Sequence, residues 1–317
     1  MITRPTVFIL GAGASMPYGY PSGNTLVKKI LEITDISHPF FKELRRLGYR
    51  REKIESFKGS LQRSRAYSID TFLEHNPDFI EIGKIAIAQV LILYERESLN
   101  YFNNLEKEDD WYRYLFSQLN TSFDDFDKNK ISFITFNYDR SLEHYLFDAL
   151  IHLYTEVTEQ KCADKLKNIP IVHMYGKLDH LPWEYWQKGK KRPYARHERL
   201  ADLRESSKGI NIMHENFDDK DFKEAHKILD KASRVYFLGL NLLNKINLDR
   251  LKIVSDYFKK RDDNTHINWC GTAYELKKAE RQRIRRYFMA PRVSASRIKL
   301  GYPDEDSLLF LREHVKL

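Results

Sequence analysis

The 317-residue chain has only two cysteines, Cys162 and Cys270, and they stand far apart. No C-x-x-C pair occurs, so no zinc ribbon or disulfide framework is implied. No apolar run reaches the roughly 20 residues that cross a bilayer, and the N-terminus enters a short apolar run without a signal peptide. So little cysteine is typical of a reducing compartment. We therefore expect a cytoplasmic protein that does not span a membrane.

Internal repeats and low-complexity tracts are also absent, and the histidines show no spacing that suggests a metal site. Hydrophobic residues make up 42% and charged residues 31% of the chain, and tyrosine and phenylalanine occur 19 times each. This composition is typical of a folded protein with a sizeable core. The formal net charge of +8 favours anionic partners, but a well-solvated surface explains it equally simply. We see no aromatic and basic motif of a nucleic-acid module, so nucleic acid is expected only as an indirect partner.

Short apolar runs alternate with amphipathic stretches at the spacing of parallel β–α–β units. The pattern predicts strands at 6–10, 131–136, 170–173, 234–238 and 267–269, with a further short strand at 209–213. It predicts helices at 22–34, 68–98, 111–119, 140–153, 218–231, 244–260, 275–288 and 304–314. The sequence thus predicts an α/β fold, a Rossmann-like parallel sheet with helices on both faces. We assign 1–34 and 126–290 to this domain, 35–125 to a helical insertion because it holds no clear strand, and 291–317 to a C-terminal helical segment.

The first predicted strand leads into a loop of small residues, Gly11-Ala12-Gly13-Ala14-Ser15. Gly11 and Gly13 lack a Cβ, so the backbone can turn tightly and approach a ligand. Free N–H groups at the start of the next helix suit a pyrophosphate. The third glycine position of the dinucleotide fingerprint holds Met16, so that motif is incomplete. An ordinary tight turn is the alternative.

Small and polar residues also follow the other predicted strands, at Asn137–Asp139, His173–Gly176, Gly239–Asn241 and Gly271–Ala273. Ligands bind outside the carboxyl ends of parallel strands, so this shared placement indicates one site. Taken singly, each residue has a simpler interpretation. Asn137 and Asp139 are potential helix caps, His173 a structural histidine, and Gly239 a turn glycine.

In chain order these motifs resemble the sirtuin-like superfamily, in its branch of NADases from bacterial antiphage defence. The resemblance is carried by the stretches Gly11–Ser15 with Gly19 and Pro21, Thr135-Phe136-Asn137-Tyr138-Asp139, and Val172-His173-Met174-Tyr175-Gly176. Gly239-Leu240-Asn241, Gly271-Thr272-Ala273-Tyr274 and Ser68-Ile69-Asp70-Thr71-Phe72-Leu73 fit more loosely. Two departures weigh against protein deacetylation. The four-cysteine zinc module of classical sirtuins is missing, and Pro21-Ser22-Gly23-Asn24 replaces their arginine-containing segment.

The resemblance implies that NAD+ is the substrate and that no metal is needed. It implies that the enzyme is an NAD+ glycohydrolase, which releases nicotinamide and ADP-ribose as an effector of abortive infection. Asn137 would orient the attacking water, His173 would contact the ribose as base or orienting group, and Asp139 would hold Asn137 or the nicotinamide end. The implied NAD+-binding residues are Gly11, Ala12, Gly13, Ala14, Ser15, Pro21, Thr135, Gly239, Asn241 and Thr272. A neutral histidine is suited to take a proton from a ribose hydroxyl or from that water.

Two other functions stay open. The chain could be a non-catalytic module that senses NAD or ADP-ribose and signals to a partner protein, or an interaction subunit for nucleic-acid machinery. By analogy with the family we expect a homo-oligomer, with a separately encoded translocase-type ATPase or another defence protein as a candidate partner. The insertion at 35–125 and the last helix are the expected contact surfaces.

Overall fold

The computed structural model describes residues 1–196, 200–212, 219–243, 248–249, 251, 268–288 and 298–316. Six strands of this part form one parallel sheet in the order β3-β2-β1-β4-β5-β6. Their bounds are Thr6–Leu10 (β1), Ile131–Thr135 (β2), Ile171–His173 (β3), Arg234–Leu238 (β4), Asn268–Gly271 (β5) and Ile298–Leu300 (β6). This is the strand order of doubly wound dinucleotide-binding folds, with the topological switch between β1 and β4. The predicted Rossmann-like fold is confirmed.

The sheet is covered on both faces, as the apolar run of β1 requires. All five of its residues are buried, and successive side chains of a strand point to opposite faces. Phe8 and Leu10 belong to one core, and Val7 and Ile9 belong to the other. A strand that is buried on both sides is expected only in the middle of a layered α/β structure.

The segment 35–125, all of it described, contains helices and no strand, as predicted. The glycine loop forms α1 (Ala12–Ser15), and α2 (Gly23–Ile33) follows it. The insertion contributes α3 (Pro39–Arg46), α4 (Arg51–Ser64), α5 (Ile69–Glu74), α6 (Ile80–Phe102) and α7 (Trp111–Gln118). The remaining described helices are α8 (Ser141–Leu153), α9 (Glu159–Lys167), α10 (Leu200–Ser207), α11 (Asp219–Lys231), α12 (Lys278–Tyr287) and α13 (Ser307–His314).

Several local predictions differ from the structure. The segment 291–317 was predicted to be helical, but it supplies the edge strand β6, which is only three residues long and too short to show a period. Near 209–213 the described residues make only an isolated bridge, between Gly176 and Ile210. Helix α9 was not predicted. The predicted helix at 244–260 lies outside the described residues, apart from 248, 249 and 251.

None of the helices in the described ranges has the length and apolar character that a membrane crossing requires.

Candidate functional site

The glycine loop packs directly against the loop that follows β4. A Cβ on Gly13 would lie 2.7 Å from the Cα of Gly239, and one on Gly11 would lie 2.6 Å from the Cα of Leu240. Gly239 has a φ of +59°, and a Cβ there would lie 2.0 Å from the backbone nitrogen of Ala14. The glycines therefore permit the close approach of two backbones at the switch point.

Three N–H groups of this loop already donate to carbonyl oxygens. Gly11 donates to Leu238 at 3.0 Å, Gly13 to Gly239 at 3.0 Å, and Ala14 to Gly11 at 2.9 Å. A pyrophosphate at this loop would have to be bound by other groups or replace these bonds. The loop therefore lies where the sequence predicts, but these three N–H groups are not free to bind a pyrophosphate.

The side chain of Asn137 lies between β2 and the glycine loop. Its Nδ2 donates to the backbone oxygen of Gly11 at 3.0 Å and to Oγ of Ser15 at 3.1 Å. Because a carbonyl can only accept, these bonds fix which amide atom is nitrogen. Its Oδ1 makes no hydrogen bond within the described part of the chain and is available as an acceptor. Asn137 is therefore not a helix cap but a bridge between two strand ends.

Asp139 is buried and accepts hydrogen bonds from two serines. Ser15 Oγ donates to its Oδ2 at 2.9 Å, and the backbone N–H of Ser141 donates to its Oδ1 at 3.1 Å, together with Ser141 Oγ. Burial raises the pKa of the Asp139 carboxyl, and the bonds from the serines partly oppose that rise. The contact with Ser141 holds Asp139 at the start of α8, whereas the contact with Ser15 ties Asp139 to the glycine loop and to Asn137.

The imidazole of His173 lies at the end of β3 between two oxygen acceptors. Nδ1 is 2.9 Å from the backbone oxygen of Asn137, and Nε2 is 2.7 Å from Oε1 of Glu143. Neither a backbone carbonyl nor a carboxylate can donate, so each ring nitrogen must carry a proton to make both bonds. In this arrangement both ring nitrogens of His173 face acceptors, so neither is free to take a proton from a ligand.

Behind His173, a buried lysine lies between two carboxylates. Lys177 Nζ is 2.7 Å from Oε1 of Glu143 and 2.7 Å from Oε1 of Glu184. Burial acts to raise the pKa of Glu143, but the positive charges of Lys177 and His173 outweigh it and hold that pKa well below its usual range. Burial acts to lower the pKa of Lys177, but the two carboxylates raise it on balance. Glu143 and Lys177 are therefore both charged around neutral pH.

His173 and Glu143 also line a cavity of about 750 Å³ beside the edge strand β3. Ile171, Lys177 and Trp183 contribute to the same wall. Its described lining includes neither Asn137 nor a residue of the glycine loop. His173 thus has Asn137 on one side and a cavity on the other.

Two further features connect the helical insertion to this edge of the sheet. Asp70, in the first turn of α5, accepts a hydrogen bond from the hydroxyl of Tyr138, which stands between Asn137 and Asp139. Burial raises the pKa of the Asp70 carboxyl. Through Tyr138, Asp70 therefore links the helical insertion to the segment 137–139.

The second feature is a buried ionic cluster of Glu95, Arg140, Arg192 and Asp179. Glu95 in α6 accepts from both guanidinium groups, with N–O distances between 2.7 and 3.0 Å. Arg192 Nε donates to Asp179 Oδ2 at 3.0 Å. Two positive and two negative charges thus neutralise one another inside the protein, as buried charges must. Because Arg140 directly follows Asp139, the cluster anchors the end of the site segment.

The structure therefore gathers part of the predicted site. Gly11, Ser15, Thr135, Asn137, Asp139 and His173 form one hydrogen-bonded group, in which Thr135 Oγ1 accepts from the backbone N–H of Asn137 at 3.1 Å. Ala12, Gly13 and Ala14 belong to the same loop, and Pro21 is buried just before α2.

Three of the NAD+-binding residues that the resemblance implies, Gly239, Asn241 and Thr272, lie across the switch point. Thr272 Oγ1 accepts from the Gly239 N–H at 2.9 Å. The exposed Asn241 accepts from the backbone N–H of Leu243 at 3.1 Å. Gly239 and Thr272 thus belong together beside the glycine loop, whereas the bond of Asn241 is local to its own turn.

Sequence reasoning missed Glu143, Lys177 and Glu184, and it missed all four residues of the ionic cluster. One signal was present, because Glu95 follows a long apolar stretch of α6 and Glu143 lies among the apolar residues of α8. A charged residue on a buried helix face requires a partner. Its identity could not be read from local spacing.

The described residues hold no group of three or more histidine, cysteine or acidic side chains that could bind a metal ion. No protein-family model matches the chain, and a comparison with the curated proteins found no match either.

Proposed function

We propose that this protein is an NAD+ glycohydrolase that acts in the cytoplasm as an abortive-infection effector of antiphage defence. One observation carries the proposal. Asn137, which follows β2, and His173, at the end of β3, meet at the carboxyl edge of the sheet beside Ser15 of the glycine loop, with His173 Nδ1 2.9 Å from the backbone oxygen of Asn137. The motifs of the sirtuin-like NADases, in their family order, support the choice of NAD+.

The reaction makes modest demands on the protein. The bond between C1′ of the ribose and the pyridinium nitrogen breaks, and its electron pair neutralises nicotinamide, so no acid is needed. The ribose becomes oxocarbenium-like, as in glycoside hydrolysis. Water then bonds to C1′ and releases one proton, which gives ADP-ribose. The site must therefore hold the ribose and place one water.

Asn137 and His173 are suited to those two tasks. The Oδ1 of Asn137 is a fixed acceptor, because Gly11 and Ser15 hold the other end of the amide, and it would orient the water or a ribose hydroxyl. The buried, hydrogen-bonded surroundings provide preorganised dipoles. His173 would serve as base only after Nδ1 has released its proton and left the oxygen of Asn137. Until then it would act as a hydrogen-bond donor.

That requirement favours a second candidate, a non-catalytic module that binds NAD or ADP-ribose and signals to a partner. Both nitrogens of His173 are already bonded to oxygen, and three N–H groups of the glycine loop are likewise occupied. A site whose groups satisfy one another is suited to a resting or sensing state.

Product analysis separates the two candidates. We expect wild-type protein to release nicotinamide and ADP-ribose from NAD+, and Asn137→Ala and His173→Ala to lose at least about 100-fold in rate, the range that acid–base groups contribute. His152→Ala is the matched control, because this histidine side chain is 75% exposed and should leave the rate unchanged. Binding of NAD+ by calorimetry without turnover, in every assembly state, would reject the hydrolase and support the sensor.

We also propose that the protein works as a homo-oligomer, with a separately encoded partner such as a translocase-type ATPase. An effector that depletes NAD+ must be silent before infection, and a partner can provide that control. Light scattering on the protein alone and mixed with proteins encoded by neighbouring genes would test this. A monomer under all these conditions would contradict it.

A further inference from the structure

Glu143, in the cluster behind His173, contacts one nitrogen of the His173 ring. The carboxylate lies on α8, whereas His173 lies at the end of β3, yet both side chains are buried and 2.7 Å apart. A carboxylate that accepts from one ring nitrogen fixes the protonated position and the orientation of an imidazole. Nε2 is therefore committed to Glu143, and any exchange of a proton with a ligand must occur at Nδ1.

The charge of Glu143 is itself maintained by the residues behind it. Lys177 binds Glu143 and Glu184 at equal distances of 2.7 Å, and Glu184 also accepts from the backbone N–H of Leu181 at 2.6 Å. Lys177 is thus held against Glu143 by a second carboxylate. His180 is another titratable group near Lys177, and burial together with the charge of Lys177 lowers its pKa.

We infer that Glu143 is the positioning residue of His173, which holds Nε2 protonated and leaves Nδ1, beside the backbone oxygen of Asn137, as the nitrogen that meets the ribose or water. The inference rests on the proposed function for its catalytic meaning, whereas the orientation of the ring stands on geometry alone. Glu143 does not itself touch the reacting atoms in this arrangement. It acts through the imidazole.

The test compares two buried carboxylates that share one lysine. Glu143→Gln keeps a side chain of the same shape and an amide oxygen that can still accept from Nε2, but it removes the negative charge. Glu184→Gln removes the same charge from the far side of Lys177, without contact to His173. The two variants therefore change the local charge equally and differ in their contact with the ring. Glu143→Asp retains the carboxylate and serves as the conservative variant.

Nitrogen-15 NMR of histidine-labelled protein reads the ring directly, with the His173 signal assigned by its loss in His173→Ala. In wild type we expect the Nε2 signal to be that of a protonated ring nitrogen that donates to a carboxylate. In Glu143→Gln the acceptor is neutral, so this signal should move toward that of a nitrogen with a weaker hydrogen bond. Glu184→Gln should shift it much less, and Glu143→Asp should stay close to wild type.

Kinetics gives the second readout. The maximal rate of NAD+ hydrolysis should fall about 10- to 100-fold in Glu143→Gln, with a changed pH profile and little change in KM, and Glu143→Asp should recover part of the rate. Equal effects of Glu143→Gln and Glu184→Gln on the ring, or none from either, would overturn the inference. If Glu143→Gln does not fold, the wild-type spectrum still decides it, because a His173 whose Nε2 carries no proton would overturn the inference. A wild-type protein that never releases nicotinamide would overturn the proposed function, and the NMR comparison would still judge Glu143.

Discussion

Replacement of Glu95 by glutamine would leave two buried guanidinium groups facing a single carboxylate. Glu95 is fully buried and accepts five hydrogen bonds, two from Arg140, two from Arg192 and one from the backbone N–H of Ala195. A glutamine fits the same space. Its amide nitrogen, however, faces donors and cannot accept from any of them.

The structure sets the size of the expected loss in the free energy of unfolding of Glu95→Gln. The four-residue cluster of Glu95, Arg140, Arg192 and Asp179 is neutral, and Glu95→Gln gives it one uncompensated positive charge in the interior. Removal of one partner from a buried ion pair costs about 3–5 kcal/mol, because the remaining charge has lost its counterion and cannot regain water. We therefore expect the free energy of unfolding to fall by about this amount, a large fraction of the total stability of most domains.

Urea unfolding, followed by both far-ultraviolet circular dichroism and tryptophan fluorescence, would measure the loss, since coincident transitions justify a single free energy. Glu55→Gln is the matched control. Glu55 forms a 2.9 Å pair with Arg51, but its side chain is 47% exposed, so its loss should cost less than about 1 kcal/mol. If Glu95→Gln unfolds within about 1 kcal/mol of wild type, or costs no more than Glu55→Gln, the assignment of this cluster as an anchor is refuted.

Three further predictions concern other contacts. Gly239→Ala should lower the free energy of unfolding by about 1–3 kcal/mol, because its Cβ would lie 2.0 Å from the nitrogen of Ala14; an unchanged urea midpoint would contradict this. Trp111→Phe should lower the free energy of unfolding by about 1–3 kcal/mol, because the backbone oxygen of Ala14 loses the 2.7 Å hydrogen bond from Nε1 of Trp111; thermal unfolding against wild type would detect it. Glu143 has a lowered pKa, so the stability that it contributes is complete above its ordinary pKa of 4.5 and is lost as the pH falls below that value. In Glu143→Gln the acid-side decline should consequently be shallower, and parallel curves of stability against pH for the two proteins would rule this out.

The site itself was predictable to the extent that topology alone brings residues together. Asn137 and His173 follow strands of one parallel sheet, and the carboxyl ends of such strands meet at one edge. No knowledge of side-chain packing is needed for that step. The contacts of the His173 ring were not predictable, because one of its two acceptors is Glu143, which comes from a helix whose sequence gives no indication of that contact.

The sequence by itself determined the layered α/β architecture, since apolar runs of strand length must be buried on both faces and small residues at strand ends leave room for close turns. It also determined that residues 35–125 would be helical, because no strand pattern interrupts them. Only the tertiary structure decided which charges neutralise one another. Glu95 and Arg192 are 97 positions apart, and an ion pair at that separation follows from how the whole chain packs, because no local period relates the two residues. The tertiary structure likewise decided that the backbone of Gly13 packs against that of Gly239. Such a close approach of two backbones depends on the order of strands in the sheet.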